Sequence, residues 1–281
     1  WVWTKNGRSS VLLAGRIGSG GAGGGAVLAT GRSGLARDGR SFNLPIDATL
    51  GEPIDFDPSY MTTDGLDPAL PDAPIVMYAL PLSLEPGNTE VLAYIRPSYF
   101  NRSWDRFCSH LHTPENPTAP SIGPAILRAG SVIHCAFPLF RLYGETGQVN
   151  YKYVLRNLIE RLAPDPLMGT DLPSAARMSL IRQAEENRDV LHLLYAPTQL
   201  RGAGMALNDG RIRPVEIIED APLLKDATAW VRRPAAPLDV VSAYSGAPLE
   251  WDYDPDRERL TITFPALHIH EAAVITPGQA A

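Results

Sequence analysis

Residues 98–114 read Ser-Tyr-Phe-Asn-Arg-Ser-Trp-Asp-Arg-Phe-Cys-Ser-His-Leu-His-Thr-Pro. Tyr99, Phe100, Trp104 and Phe107 stand among Asn101, Arg102, Arg106, His110 and His112. Aromatic faces beside Arg, Asn and His donors are what a sugar site or a protein interface uses. The stretch has no helical or strand period, so it reads as a loop, and loops carry binding groups more often than regular elements do. Asn101, Arg102, Trp104, His110 and His112 are its candidate interface or pocket-rim residues. The alternative is a surface loop whose polar groups satisfy its own backbone. Asn101-Arg102-Ser103 is also a glycosylation sequon, which matters only in a secretory cell.

Other chemistry is thinner. His110/His112 and His268/His270 are H-x-H pairs, and on a strand that spacing puts both rings on one face. Zinc needs three or four ligands. Cys108 could join the first pair and nothing obvious joins the second, so hydrogen-bonded surface histidines are the plainer reading and no metal is assigned. Cys135 lies in the apolar run Ile133-His134-Cys135-Ala136-Phe137 without the Gly-rich turn that exposes a nucleophile, which predicts a buried structural thiol. No G-x-S-x-G is present, and Ser33 in Gly31-Arg32-Ser33-Gly34 lacks that setting. Gly18-Ser19-Gly20-Gly21-Ala22-Gly23 matches G-x-G-x-x-G in form, but a strand-like run follows it where a dinucleotide site needs a helix. Asp252, Asp254, Asp256 and Glu258 imitate a calcium loop. Arg257 stands where its Gly belongs and Thr263 where its Glu belongs, so a solvated hairpin turn is expected. No cofactor is implied.

The elements that must position these groups fall into two patterns. Residues 1–163 mix short apolar runs with one clear helix. Val11–Ala14, Ala26–Ala29, Pro74–Ala79 and Val91–Ile95 read as buried strands. Ala125–Leu127 and Val132–Phe137 flank Ala129-Gly130 as a hairpin. Tyr151, Val154, Leu155, Leu158, Ile159 and Leu162 form one helical stripe, which Pro164 ends. Parallel-type strands with a covering helix predict an incomplete flavodoxin-like α/β layer. Residues 164–173 read as a linker, rich in Pro and Gly. Residues 174–281 carry short strands separated by turns, as an antiparallel β-sandwich does. Among them are Val215–Ile218 and the alternating Leu260–Phe264.

Composition bounds the answer. The 281 residues carry 25 Lys+Arg against 31 Asp+Glu, a net charge of −6, without a basic stripe for nucleic acid. No apolar run approaches the ~20 residues of a membrane span, so no membrane partner is expected. Two cysteines, Cys108 and Cys135, make no disulfide framework. The chain starts at Trp1 without a signal-peptide pattern, which reads as a mature form or a piece of a longer protein, with a cytoplasmic site slightly favoured.

Several segments resemble a known family. Ala22–Leu35, the run Ala129–Phe140 with Tyr143 and the helix after it, and Leu191–Pro197 with Arg201-Gly202 are similar to parts of β-galactosidase-like glycoside hydrolases. So are Val215–Asp220 and the stretch from Phe264 to Ile275. The matched region, roughly 22–276, resembles their class I glutamine amidotransferase-like trimerisation domain and small C-terminal β domain. The resemblance implies a parent enzyme whose (β/α)8 barrel carries two catalytic glutamates. This chain has no such eightfold alternation, and no catalytic residue is carried over. The implied role is oligomerisation, most simply as a homotrimer, and shaping of a carbohydrate pocket, with 100–114 as interface or rim. In the family pattern a helix precedes Ala22-Gly23-Gly24, and the first ~20 residues depart from it. The residues leave two other functions open: a stand-alone carbohydrate-binding module, and a small amidotransferase-like thiol hydrolase.

Overall fold

The computed structural model describes residues 2–6, 9–13 and 26–278. The glycine-rich motif at 18–23 and the expected helix before Ala22 lie outside them. The chain divides into two compact units, Trp1–Asp165 and Pro166–Ala281.

The first unit contains β1 (Val2–Asn6), β2 (Ser9–Leu13), β3 (Val27–Thr30), β4 (Ala48–Leu50), β5 (Ser59–Met61) and β6 (Ile75–Met77). After them come β7 (Leu84–Pro86), β8 (Glu90–Arg96), β9 (Gly123–Ala129), β10 (Val132–Cys135), α1 (Leu139–Thr146) and α2 (Val149–Leu162). Eight strands form one sheet in the order β1-β2-β3-β10-β9-β8-β5-β6. Only β3 and β10 run parallel; every other pair in that sheet is antiparallel. The expected flavodoxin-like α/β layer is therefore wrong. Such a layer needs parallel strands with a helix in each crossover. Among the described residues the helices are α1 and α2, adjacent in sequence. The physical cause lies between β3 and β9, where crossover helices would have to form. That stretch carries twelve prolines from Pro45 to Pro120. Each removes a helical donor and biases its predecessor toward extended backbone.

The helical stripe is real. Tyr151, Val154, Leu155, Leu158 and Leu162 are buried, and α2 lies against β3 and β10. Each such side chain stabilises the unit by roughly 1.5–3 kcal/mol. The Tyr151 hydroxyl donates to the Val76 carbonyl at 2.9 Å, tying the helix to β6. Arg156 donates twice to buried Asp67, at 2.7 and 2.5 Å, which holds that carboxyl below the usual carboxylate range.

The second unit has two four-stranded antiparallel sheets. One contains β11 (Met168–Thr170), β18 (Leu224–Arg232), β20 (Glu250–Asp254) and β21 (Arg259–Leu267), in the order β11-β18-β21-β20. The other contains β12 (Arg177–Gln183), β13 (Arg188–Tyr195), β19 (Pro237–Ser242) and β22 (Ile269–Pro277), in the order β12-β13-β22-β19. Leu191, Leu193, Ala273 and Ile275 of the second meet Ala229, Val231, Leu260, Ile262 and Phe264 of the first in one sandwich-like core. Residues 164–173 are more than a linker, since β11 lies in them. Gly169 there reflects packing, because a Cβ would fall 2.7 Å from the Trp230 indole. Four two-residue strands, β14 (Gln199–Leu200), β15 (Met205–Ala206), β16 (Ile212–Arg213) and β17 (Glu216–Ile217), pair apart from both sheets, β14 with β17 and β15 with β16.

Candidate functional site

Residues 97–116 leave β8 and return toward β9. No long ladder holds them, so their backbone groups need other partners. At the neck Ser98 bridges Glu115, the Tyr99 N–H donates to the Pro114 carbonyl at 3.1 Å, and the Asn116 N–H to the Pro97 carbonyl at 2.9 Å. Arg96 braces the neck from β8, donating to Glu115 Oε1 at 2.8 Å and to the Asn116 carbonyl at 3.0 Å. From β5, the Tyr60 hydroxyl donates to the Thr113 carbonyl at 2.8 Å.

Asn101 and Arg102 belong to this bracing. The Asn101 amide donates to the Asp55 carbonyl at 2.8 Å and accepts the Asp57 N–H at 2.9 Å, clamping the loop to 55–57. Arg102 Nη1 donates to the Leu111 carbonyl at 2.5 Å, across the loop. Trp104 is different. Ser103 and Arg106 pair through both backbone bonds, at 2.9 and 3.2 Å, and hold Trp104-Asp105 at the tip of a tight turn. The indole is 91% exposed there. Phe107 and Leu111 of the same loop are also exposed, and the Arg106 guanidinium sits 5.0 Å from the Phe100 ring centroid. His110 is exposed, while His112 turns inward, 5.0 Å from the Tyr78 ring. The loop thus has a hydrogen-bonded base and an exposed aromatic residue at its tip. Sequence reasoning missed Tyr60, Tyr78 and the Arg96–Glu115 pair, which lie outside the run or look like ordinary strand residues.

The other candidates are resolved by their surroundings. Cys135 is fully buried, and burial pushes its thiol up to about 12, too high for a thiolate nucleophile at neutral pH. His134 is buried beside it in sequence, its Nε2 2.9 Å from the Gly31 carbonyl, so that nitrogen carries the proton. Burial pushes His134 down to about 4 and keeps the ring neutral. Cys108 is half-buried, its thiol 3.5 Å from the His110 carbonyl. The second H-x-H pair is split by Ile269, whose φ of 68° breaks the strand alternation. His270 instead meets His192 (3.2 Å) and Tyr244 (2.6 Å). Among the described residues no group of three or more His, Cys, Asp or Glu is placed to hold a metal ion. Asp254 Oδ1 accepts the Asp256 and Arg257 N–H groups at 3.0 and 3.1 Å, an Asx turn between β20 and β21. An open cleft of about 620 Å³ lies past the ends of β3 and β10, with Arg32 and Arg141 among its lining residues.

No family model matches the chain, and no curated protein matches it. Solved structures do. The α-L-fucosidase isoenzyme 2 from Paenibacillus thiaminolyticus is 29% identical, with a TM-score of 0.78 over 90% of this chain and 36% of that one. The chain thus spans about a third of that fucosidase's length. A β-galactosidase from Bacillus circulans sp. alkalophilus overlaps 88% of this chain and 28% of that one at 10% identity, with a TM-score of 0.44, too slight a likeness to argue from. The fold is that of part of a glycoside hydrolase.

Proposed function

We propose that this chain is the non-catalytic C-terminal part of a glycoside hydrolase, serving assembly and the shaping of the sugar pocket. The observation that carries this reading is the likeness to the fucosidase, which runs through 90% of this chain at 29% identity. It favours α-L-fucosides as the first substrate class to try. The acid/base and nucleophilic carboxylates belong to the remainder of the enzyme, and this chain supplies surface. Residues 98–114 are the contributing element. Bracing by Asn101, Arg102, Tyr60 and Arg96 holds the tip before anything binds, so little ordering cost falls on the encounter. Trp104 then offers an apolar face to a sugar or to the wall of a neighbour's pocket, and His110 a polar group at the rim.

The test compares aryl α-L-fucoside and aryl β-galactoside hydrolysis by this chain alone and by the longest natural polypeptide that contains it. Turnover is expected only from the longer polypeptide. Turnover by this chain alone, surviving repurification, would refute the non-catalytic reading.

One observation favours a second reading, an independent carbohydrate-binding module: an indole 91% exposed on a pre-braced loop suits sugar stacking on its own. Calorimetric titration of the chain with free L-fucose or D-galactose decides it. Binding that Trp104→Ala abolishes supports the module, and absence of heat for both sugars removes it.

A further inference from the structure

We infer that residues 198–222 form an arm through which two copies of this chain pair. The arm is built from the β14–β17 and β15–β16 pairs, closed by the Leu207 N–H donating to the Arg211 carbonyl at 2.8 Å. Every residue from 200 to 220 is exposed, and none belongs to either apolar core. Yet Leu200, Met205, Leu207, Ile212, Val215, Ile217 and Ile218 lie in that stretch, with Leu200 at 67% and Ile212 at 63% exposed. A two-stranded ribbon with no apolar face covered is marginal in water, and so many bare aliphatic groups mark an interaction surface.

The charges select the occupant. Arg201 pairs with Glu219, and Arg211 with Asp209. Arg213, toward the tip, makes no ion pair among the described residues, nor do Glu216 and Asp220 toward the root. Two arms laid antiparallel about a two-fold axis set the Arg213 of one beside the acidic root of the other, twice. The open edges of the short strands then face each other, and the contact closes on itself. The acidic root and the chain's net charge of −6 disfavour nucleic acid. This contact uses none of the residues of the 98–114 loop and does not rest on the glycosidase reading.

Sedimentation velocity on the full chain between about 1 and 100 µM tests it, with a dimer expected inside that range. Ile212→Asp should weaken pairing at least ~30-fold, as loss of a central apolar contact does. Arg213→Glu alone should weaken it about tenfold, and adding Glu216→Arg and Asp220→Arg to that chain should restore most of the loss. Because one surface meets itself, only a second copy allows rescue within one sequence. Thermal unfolding of each variant confirms that the second unit stays folded. Three outcomes overturn the proposal. One is a chain monomeric at 100 µM, which leaves the arm to another partner. The others are pairing indifferent to Ile212→Asp, and charge reversal without rescue. Pairing lost in Trp104→Ala but kept in Ile212→Asp would likewise move the contact to the loop.

Discussion

The 98–114 loop and the 198–222 arm both show large apolar groups to solvent, and they do so on different foundations. The loop's polar side chains bond its own backbone and the segments beneath it, Asn101 to 55–57 and Arg102 to Leu111, while Tyr60 from β5 and Arg96 from β8 hold the neck. Its tip is exposed because a rigid base holds it out. The arm's side-chain bonds and ion pairs stay within the arm, as between Thr198 and Glu216, Arg201 and Glu219, and Arg211 and Asp209. Exposure alone therefore does not define a surface. A braced tip suits a small ligand or rim that cannot repay ordering cost, and an unbraced ribbon suits a partner large enough to cover it.

Four perturbations would break or sharpen that contrast. The largest acts on the sheet beneath the loop. His134 has a folded-state value near 4, below the ~6.5 of an unfolded histidine, so the unfolded chain binds the extra proton first. Stability from keeping the ring neutral is present above pH ~6.5 and is lost as pH falls toward 4, by about 3 kcal/mol in all. Urea unfolding of the first unit between pH 7 and pH 4 should show this slope, and His134→Gln should flatten it. A wild-type slope no steeper than that of His134→Gln would remove the buried neutral histidine from the account.

Next is Asn101→Ala, which strips two bonds from the loop base at roughly 1–3 kcal/mol. Hydrogen exchange at 98–114 should quicken about tenfold while 199–217 stays unchanged. Equal change in both segments would erase the distinction. Tyr60→Phe removes one hydroxyl bond and should cost about 1 kcal/mol, read as a small fall in the first unit's denaturant midpoint. Smallest is Ile212→Asp, which should leave the second unit's own stability within about 0.5 kcal/mol, because it touches no core. A larger loss at high dilution would mean that the arm packs on the body after all.

Parts of this were legible in the sequence. The α2 stripe and the Leu260–Phe264 alternation are repeated patterns whose period fixes the buried face, and the 125–137 hairpin is two apolar runs around the Ala129-Gly130 turn. Strand direction was not legible, since a short apolar run looks the same in a parallel or an antiparallel sheet. The prolines from Pro45 to Pro120 were the available clue that no crossover helices lay between strands. Pro138 and Gly144 hid α1, and Gly169, required beneath Trp230, made β11 look like linker. At the loop, residue types located the site without assigning its roles. Asn101 and Arg102 look like ligand donors until their backbone partners are seen. Val215–Ile218 reads as a sandwich strand because β-branched residues fit any half-buried pleat, and nothing local says that this one has no sheet beneath it.

The most direct test of the glycosidase account is a steady-state assay of aryl α-L-fucoside hydrolysis by the polypeptide that carries this chain, wild type against Trp104→Ala. The account predicts turnover in the wild type, with KM raised about tenfold and kcat nearly unchanged in the variant, the pattern of lost uniform binding. Identical kinetics in the two proteins would contradict the role given to the loop, and no hydrolysis of any aryl glycoside would contradict the account as a whole.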